Sequence, residues 1–315
     1  MLRYNKRQLF DAHMSNFNLE QASTQEKTNS CILNILNGDE RDVYNIAAPF
    51  EYFGRTVLAG RVEHRDSEDA EIQLFEQTEA GWAQFLQVPE FFGLQDPCVT
   101  VIDGKVVLGG VRFPCVFEDG SEGWQMKFFE ATEEGRFELL FSGPKKMKDI
   151  RLLQLADGRI LVLTRPQGEK GGTGRIGYAV VDSLADVTHE VIDEAPMLEG
   201  LCATDEWVGA NEAHLLANGK VGVLGHVAHF SDDGQRHYYA MAFVRDVETG
   251  ETTSADVIAQ RGDFPDGPSK RLDLVDVLYP GGIVRLGKGR ARMYAGLSDA
   301  QTGSVELPDP FSAHE

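Results

Sequence analysis

The chain has 315 residues, 42% of them hydrophobic, enough for one large domain or two ordinary ones with a packed core. Asp and Glu number 50 against 30 Lys and Arg, a formal charge of −20, which excludes a general binder of nucleic acid or anionic membrane because both need a basic face. A small anion is not excluded: a few clustered arginines hold phosphate locally, and carboxylates beyond about 8–10 Å are screened.

From the N-terminus, the first 30 residues are polar and contain no apolar h-region, so no secretory signal is expected. No later run approaches the ~20 apolar residues of a membrane span, so the expectation is a cytoplasmic protein without a membrane partner. Residues 5–27 have the best helical periodicity, which predicts a short N-terminal helix or arm over 1–28 ahead of a single domain over 29–315. Cys31, Cys98, Cys115 and Cys202 are scattered without zinc or redox spacing and read as reduced thiols.

From residue 50 onward one pattern recurs. "FEYFGRTVLAGR" turns at Gly54, "VIDGKVVLGG" at Gly104, "LADGRILVLT" at Gly158, "LANGKVGVLG" at Gly219 and "RLGKGRARMYAG" at Gly289. Asp-Gly and Asn-Gly between apolar runs are strong hairpin signals, and a type I′ turn needs φ > 0 at both central residues. Between these turns a second hairpin fits: 72–88, 126–141, 174–193 and 239–259. Each unit is then about four strands, the size of a propeller blade, and five units imply an all-β, five-bladed β-propeller. The fifth unit is short at its C-terminus, and "NSCILNILNG" (29–38) is placed to supply its outer strand and close the ring. A pair of β-sandwiches or a doubly wound α/β domain explains neither the period nor the paired hairpins.

Each first hairpin is flanked by polar residues in register. Asn45, Asp96, Asp149, Asn211 (followed by Glu212) and Asp276 precede the turn glycine by 9, 8, 9, 8 and 13 residues. Arg61, Arg112, Arg165, His226 and Asp299 follow it by 7, 8, 7, 7 and 10. Positions equally far from a hairpin turn lie at the same end of the strands, so the two sets form one rim of a central channel. Polar strand ends are ordinarily just solvated, but five coincidences in register favour a ring. Carboxylates there accept sugar hydroxyl protons and arginines bind phosphate bidentately, which suits a polyhydroxyl or phosphorylated ligand. The Gly-rich "GEKGGTGRIG" (168–177) is not a Walker loop and is expected to be mobile over the channel. The three histidines of "HVAHFSDDGQRHYY" form no defensible metal site, and no metal is expected.

At these residues the sequence resembles the β-mannoside phosphorylases and β-mannosidases of glycoside hydrolase family 130. "VYNIAAPFEYFGRTVLAGRVEHRD" is similar to that family's Asn-Pro-Ala strand with its following Tyr-Arg, and "LQDPCVTVID" to its Glu-Asp-Pro-Arg motif. "KKMKDIRLLQLADGRILVLTRP" resembles its Lys-Asp segment, "WVGANEAHLLANGKVGVLGHV" its Gly-Ala-Gly-Pro-Pro…Tyr-His-Gly stretch, and "VLYPGGIVRLGKGRARMYAGLSDAQTG" its Phe-Pro-x-Gly…Tyr-Tyr-Gly-Ala-Ala-Asp ending. The nearest subgroup is the mannosyltransferase–phosphorylases of β-1,2-mannan (mannogen) metabolism.

The resemblance implies that Asp96 is the general acid, that Asn45, Arg61 and Asp299 hold mannose, and that Lys148, Arg165 and His226, with Arg112 as an addition, cradle phosphate. The rim reading adds Asp149, Glu212 and Asp276 to the sugar contacts. Three departures stand out: Gln95 for Glu, Cys98 for Arg, and Asn211-Glu212 for the Gly-Pro-rich segment.

The expected activity is inverting phosphorolysis of β-1,2-mannan to mannose 1-phosphate, mannosyl transfer from GDP-mannose, or both. Phosphate or GDP-mannose is then a co-substrate, no cofactor is required, and a homo-oligomer is left open. The first alternative is an inverting β-mannosidase, which needs a second carboxylate, Glu212 or Asp149, as base. The second is a non-catalytic propeller that binds sugar or protein. It is disfavoured because Trp82, Trp124 and Trp207 are expected on outer strands or loops rather than as rim platforms.

Overall fold

The computed structural model describes residues 26–88 and 91–315. The expected N-terminal arm, but for its last few residues, lies outside the described residues. The chain is nearly all-β. The first antiparallel group holds β3 (Asp42–Tyr44), β4 (Phe50–Tyr52), β5 (Arg55–Glu63), β6 (Glu71–Thr78), β7 (Gly81–Gln84) and β8 (Phe91–Phe92). The second holds β9 (Leu94–Ile102), β10 (Lys105–Val116), β11 (Glu122–Ala131) and β12 (Phe137–Ser142), and the third β13 (Arg151–Gln154), β14 (Ile160–Thr164) and β15 (Gly177–Val181). The fourth has β16 (Trp207–Leu215), β17 (Val221–Phe230), β18 (Arg236–Arg245) and β19 (Asp256–Ala259). The fifth has β20 (Asp276–Gly287), β21 (Arg290–Leu297) and β22 (Gln301–Pro308). Two early strands complete the ends: β1 (Thr28–Ile32) pairs antiparallel with β22, and β2 (Ile35–Leu36) pairs with β7. The fourth and fifth groups form one sheet through a short parallel pairing, His237 opposite Asp276 and Tyr238 opposite Val277.

The hairpin turns divide by conformation. Phe53-Gly54, Asp103-Gly104 and Lys288-Gly289 are left-handed at both residues, as a type I′ turn requires. At the other two only Gly158 and Gly219 have positive φ. There Leu155 and Leu216 take the amide hydrogens of Gly158 and Gly219, and Asp157 and Asn218 accept from the amide two residues on. That is a type I turn closed by a glycine bulge, which Asp-Gly and Asn-Gly serve equally well.

The second hairpin expected at 174–193 is not formed. After β15 the chain makes a 3₁₀ turn (Leu184–Asp186) and α1 (His189–Glu194). Leu184, Val187, Val191 and Ile192 recur at helical rather than alternating spacing, and the Thr188 hydroxyl caps the helix by accepting from the Val191 amide at 3.3 Å. Val187 and Ile192 are buried between the second and third groups, where a fourth strand would have packed.

Buried apolar side chains fall into clusters that each join neighbouring groups. Leu108 packs with Ile72, Val162 with Met126, Tyr239 with Leu163, and Ala240 with Leu278. Val43 and Leu58 meet Tyr294, which joins the first group to the fifth. One cavity is lined by Ala48, Thr100, Glu212 and Gly281, from the leading segments of four groups. The leading strands therefore face a common axis, as in a propeller-like fold. No helix among the described residues is long and apolar enough to cross a membrane.

Candidate active site

Three of the five leading segments carry a short polar residue in strained backbone near their start. Asn45, Asp96 and Asp149 have φ of 45, 50 and 57°, and Ser298-Asp299 at the end of the last hairpin have 54 and 50°. Asn and Asp are the non-glycine residues that best tolerate the left-handed region. Register also slips next to Asp96, between Gly109 and Val111, and next to Asn211, between Ala210 and Glu212, so bulges re-aim both. Strain of this kind concentrates at functional sites.

Two clusters result. In the first, Asp96 Oδ1 accepts from Asn45 Nδ2 at 2.8 Å and from Arg61 Nη1 at 3.2 Å. Arg61 Nη2 also reaches Glu63 Oε2 and Glu68 Oε2, both at 2.9 Å, and its guanidinium lies over the Tyr44 ring. Burial works against that charge, but Asp96, Tyr44, Glu63 and Asp299 outweigh it and hold the pKa of Arg61 well above the usual guanidinium value. Half-buried Asp299 completes the cluster. Burial, reinforced by Asp96 and Glu63 and opposed by Arg61 and Lys270, lifts its carboxyl to about 6. Asn45 fits because β21 carries Gly296: a Cβ there would stand 2.0 Å from Asn45 Oδ1.

The second cluster is cationic. Asp149 Oδ2 faces Arg165 Nη1 at 3.2 Å, and Asp149 Oδ1 faces Arg151 Nη2 at 3.7 Å. Burial would raise the Asp149 carboxyl, but Arg165, Lys148, His226 and Arg151 bring it down to about 2. His226 Nδ1 bonds Asn211 Oδ1 at 2.8 Å, and its ring stacks on Tyr238 and packs at a tilt against Tyr279. Burial, with the neighbouring cations, pushes the imidazole down to about 3 against the pull of Asp149. Asn211 Nδ2 is buried and has no hydrogen-bond acceptor, and buried Arg165 Nη1 has the Asp149 ion pair but no hydrogen bond. Half-buried Lys148 has an amine with no ion pair among the described residues, and its charge is felt by Asp149 and His226. Gly209 opens this cluster, since a Cβ there would meet His226 Cε1 at 2.5 Å and Arg165 Cδ at 2.9 Å.

Not every predicted rim residue joins. Arg112 is exposed, its Nη1 donating to the Phe92 carbonyl at 2.8 Å. Glu212 points away from its neighbour Asn211: Oε2 accepts from the Ile283 amide and from His214 Nε2, both at 2.7 Å. Asp276 accepts from Tyr239 Oη at 2.9 Å and bonds His237 Nδ1 at 2.7 Å, which latches the fourth group to the fifth. Trp207 is not on an outer strand but opens β16, where its indole donates to Tyr238 Oη at 3.1 Å. The Gly-rich segment is closed by a two-bond bridge between Gly168 and Gly172, and its Thr173 carbonyl receives Arg165 Nη2 at 3.4 Å.

Sequence reasoning missed Glu63, Glu68, Lys270, Arg151 and Tyr279. Arg151 had a usable signal, a guanidinium opening the apolar run "RLLQL". Its Nε donates to the Asn211 carbonyl at 2.6 Å and its Nη2 to Tyr279 Oη at 3.3 Å. Among the described residues no group of three or more His, Cys, Asp or Glu is placed to hold a metal ion.

With this geometry established, comparison with known proteins places the chain. Residues 20–313 match a family described as "Protein of unknown function (DUF1861)". The chain belongs to the DUF1861 family. No curated protein matches this DUF1861 member in sequence. Among solved structures it is similar to MPT-4, a mannose phosphorylase from Leishmania mexicana in complex with phosphate ion. The two are 31% identical over 94% of this chain and 93% of that one, with a TM-score of 0.85. It is also similar to MPT-1, a GDP-Man-dependent mannosyltransferase from the same organism, at 29% identity over 94% and 95% of the chains and a TM-score of 0.83. The β-1,2-mannobiose phosphorylase of Listeria innocua shares the fold at 15% identity, over 87% and 92% of the chains, with a TM-score of 0.63. The structural neighbours of this DUF1861 chain are thus mannoside phosphorylases and mannosyltransferases of glycoside hydrolase family 130.

Proposed function

We propose that the protein is a cytoplasmic, inverting β-mannoside phosphorylase acting on β-1,2-mannan, built on residues 29–315 as one catalytic domain. The five strand groups are the blades of its propeller. The observation that carries the reading is the second cluster. Asn211 Nδ2 is a buried donor without an acceptor, Arg165 Nη1 is ion-paired to Asp149 but makes no hydrogen bond, and the neighbouring Lys148 amine has no ion pair among the described residues. An oxyanion rich in acceptors satisfies all three, and phosphate is the small oxyanion a phosphorylase needs. Phosphate held between Lys148, Arg165 and His226 attacks the anomeric carbon of the terminal mannose. The bond from that carbon to the leaving oxygen breaks, and Asp96 gives its proton to that oxygen. The products are mannose 1-phosphate of inverted configuration and a mannan one unit shorter. Phosphate is itself the nucleophile, so no base is required. Asn45 and Arg61 bond Asp96, Asp299 acts electrostatically on the same cluster, and the three would hold the mannose.

An inverting hydrolase would need a carboxylate base across the sugar. Glu212 is occupied by Ile283 and His214, and Asp149 is ion-paired to Arg165, which weighs against both. Transfer from GDP-mannose is a second reading, favoured by the likeness to MPT-1: the same cations would hold the diphosphate.

The test is incubation with β-1,2-mannobiose, with and without phosphate, beside Asp96→Asn. Phosphate-dependent mannose 1-phosphate that disappears in the variant is the expected result. Free mannose formed without phosphate would instead make the protein a hydrolase. Turnover only with GDP-mannose would make it a transferase.

A further inference from the structure

Lys270 belongs to no motif, yet it is the second cation of the acid cluster. It lies between the 3₁₀ turns Arg261–Asp263 and Leu272–Leu274, and only 4% of its side chain is exposed. Its amine contacts Glu63 Oε1, and it lies 2.9 Å from Glu68 Oε1 and 3.4 Å from Tyr44 Oη. Its backbone amide donates to the Ser298 carbonyl at 2.9 Å, directly before Asp299. Fully buried Glu63 takes Arg61 on one oxygen and Lys270 with Tyr44 on the other. Four carboxylates, Glu63, Glu68, Asp96 and Asp299, therefore face two buried cations, Arg61 and Lys270. Arg271 adds only an exposed contact of 3.5 Å to Glu68.

We propose that Lys270 is a positioning residue for the proposed reaction: by neutralising Glu63 it leaves Arg61 free to hold Asp96, and it brings a second buried positive charge to the carboxylates beside Asp299. The proposal rests on Asp96 being the acid. Without Lys270, Arg61 is the one buried cation left to Glu63 and Glu68 among the described residues, and it is drawn from Asp96 toward them. Loss of a cation from a buried acidic cluster also favours the protonated carboxyl. Loss of Glu68, a half-exposed carboxylate on the same two cations, acts in the opposite sense.

The opposed signs make the test. Lys270→Met, Lys270→Arg and Glu68→Gln are made in the full chain. Two quantities are read: the alkaline limb of the pH dependence of kcat/KM for phosphorolysis, and the titration of the Asp299 carboxyl by carbon NMR of Asp-labelled protein. Both are expected to move up by about one pH unit in Lys270→Met, to return in Lys270→Arg, and to move down in Glu68→Gln. Unmoved midpoints with a lowered kcat would overturn the proposal and leave Lys270 as a loop anchor. Shifts of one sign in both variants would overturn it too. Should Lys270→Met not fold, Glu68→Gln decides, because its site is half-exposed and an absent downward shift sinks the idea. An active Asp96→Asn would remove the acid assignment instead, and the NMR titration, which needs no turnover, would still judge Lys270.

Discussion

Asp299 illustrates what the site costs at the scale of one residue. Its carboxyl titrates near 6 in the folded chain against an ordinary 3.8. Between those values the folded form holds the proton that the unfolded form has lost, so stability falls as pH rises through that window. At pH 7 the charged form costs about 1–2 kcal/mol, given that the residue is only half-buried. Asp299→Asn is therefore expected to melt higher than the parent at pH 7, with the gain shrinking toward pH 4, while turnover is lost. Calorimetry across that range checks it, and a variant that is less stable at pH 7 would show that Asp299 serves packing rather than chemistry.

At the scale of the element, what matters is where strands leave regular pairing. Asn45, Asp96 and Asp149 adopt the same left-handed start on three successive units, and bulges flank Asp96 and Asn211. The sequence hints at this, since short Asx residues recur 8–9 positions before the turn glycine. It also misleads: in "ANEA" the bulge sends Asn211 to His226 and Glu212 away to Ile283, and no spacing rule separates two adjacent polar residues. Gly209 on β16 is the element-level test. A methyl there displaces His226 or Arg165 without touching the Asp96 cluster. Gly209→Ala should raise KM for phosphate about tenfold, roughly 1.4 kcal/mol, with kcat changed less. Equal losses in kcat and kcat/KM would show that the two side chains act in the chemical step rather than in binding.

Across the whole molecule, closure joins segments more than 270 residues apart. β1 pairs Thr28 with Glu306 and Cys31 with Ser304, and Ser30 Oγ donates to the Asp263 carbonyl at 2.7 Å. A chain beginning at Leu33 would leave β22 as an open edge, and unpaired edges recruit other chains. That truncation is expected to melt several degrees lower and to associate in a concentration-dependent way, seen by thermal denaturation and size-exclusion chromatography. A monomer with unchanged melting would mean that the contact of Tyr294 with Val43 and Leu58 alone holds the first and last groups together.

The sequence by itself determined the repeating hairpins, their turn glycines and most residues of the two clusters. These are local signals: alternating hydrophobicity and Asx-Gly turns act over a few residues, and equal distance from a turn places strand ends at one level. At 174–193 the same pattern misleads: the expected second hairpin gives way to a 3₁₀ turn and α1, and the helical spacing of Leu184, Val187, Val191 and Ile192 is the local signal for it. Only the tertiary structure decided which polar residues meet. Arg61 finds Asp96 one unit away, Lys270 reaches Glu63 across more than 200 residues, and Arg112 turns outward to Phe92 although its register matches Arg165 to within one residue. Burial and charge pairing are properties of neighbours in space, and a buried carboxylate takes whichever cation the packing brings to it.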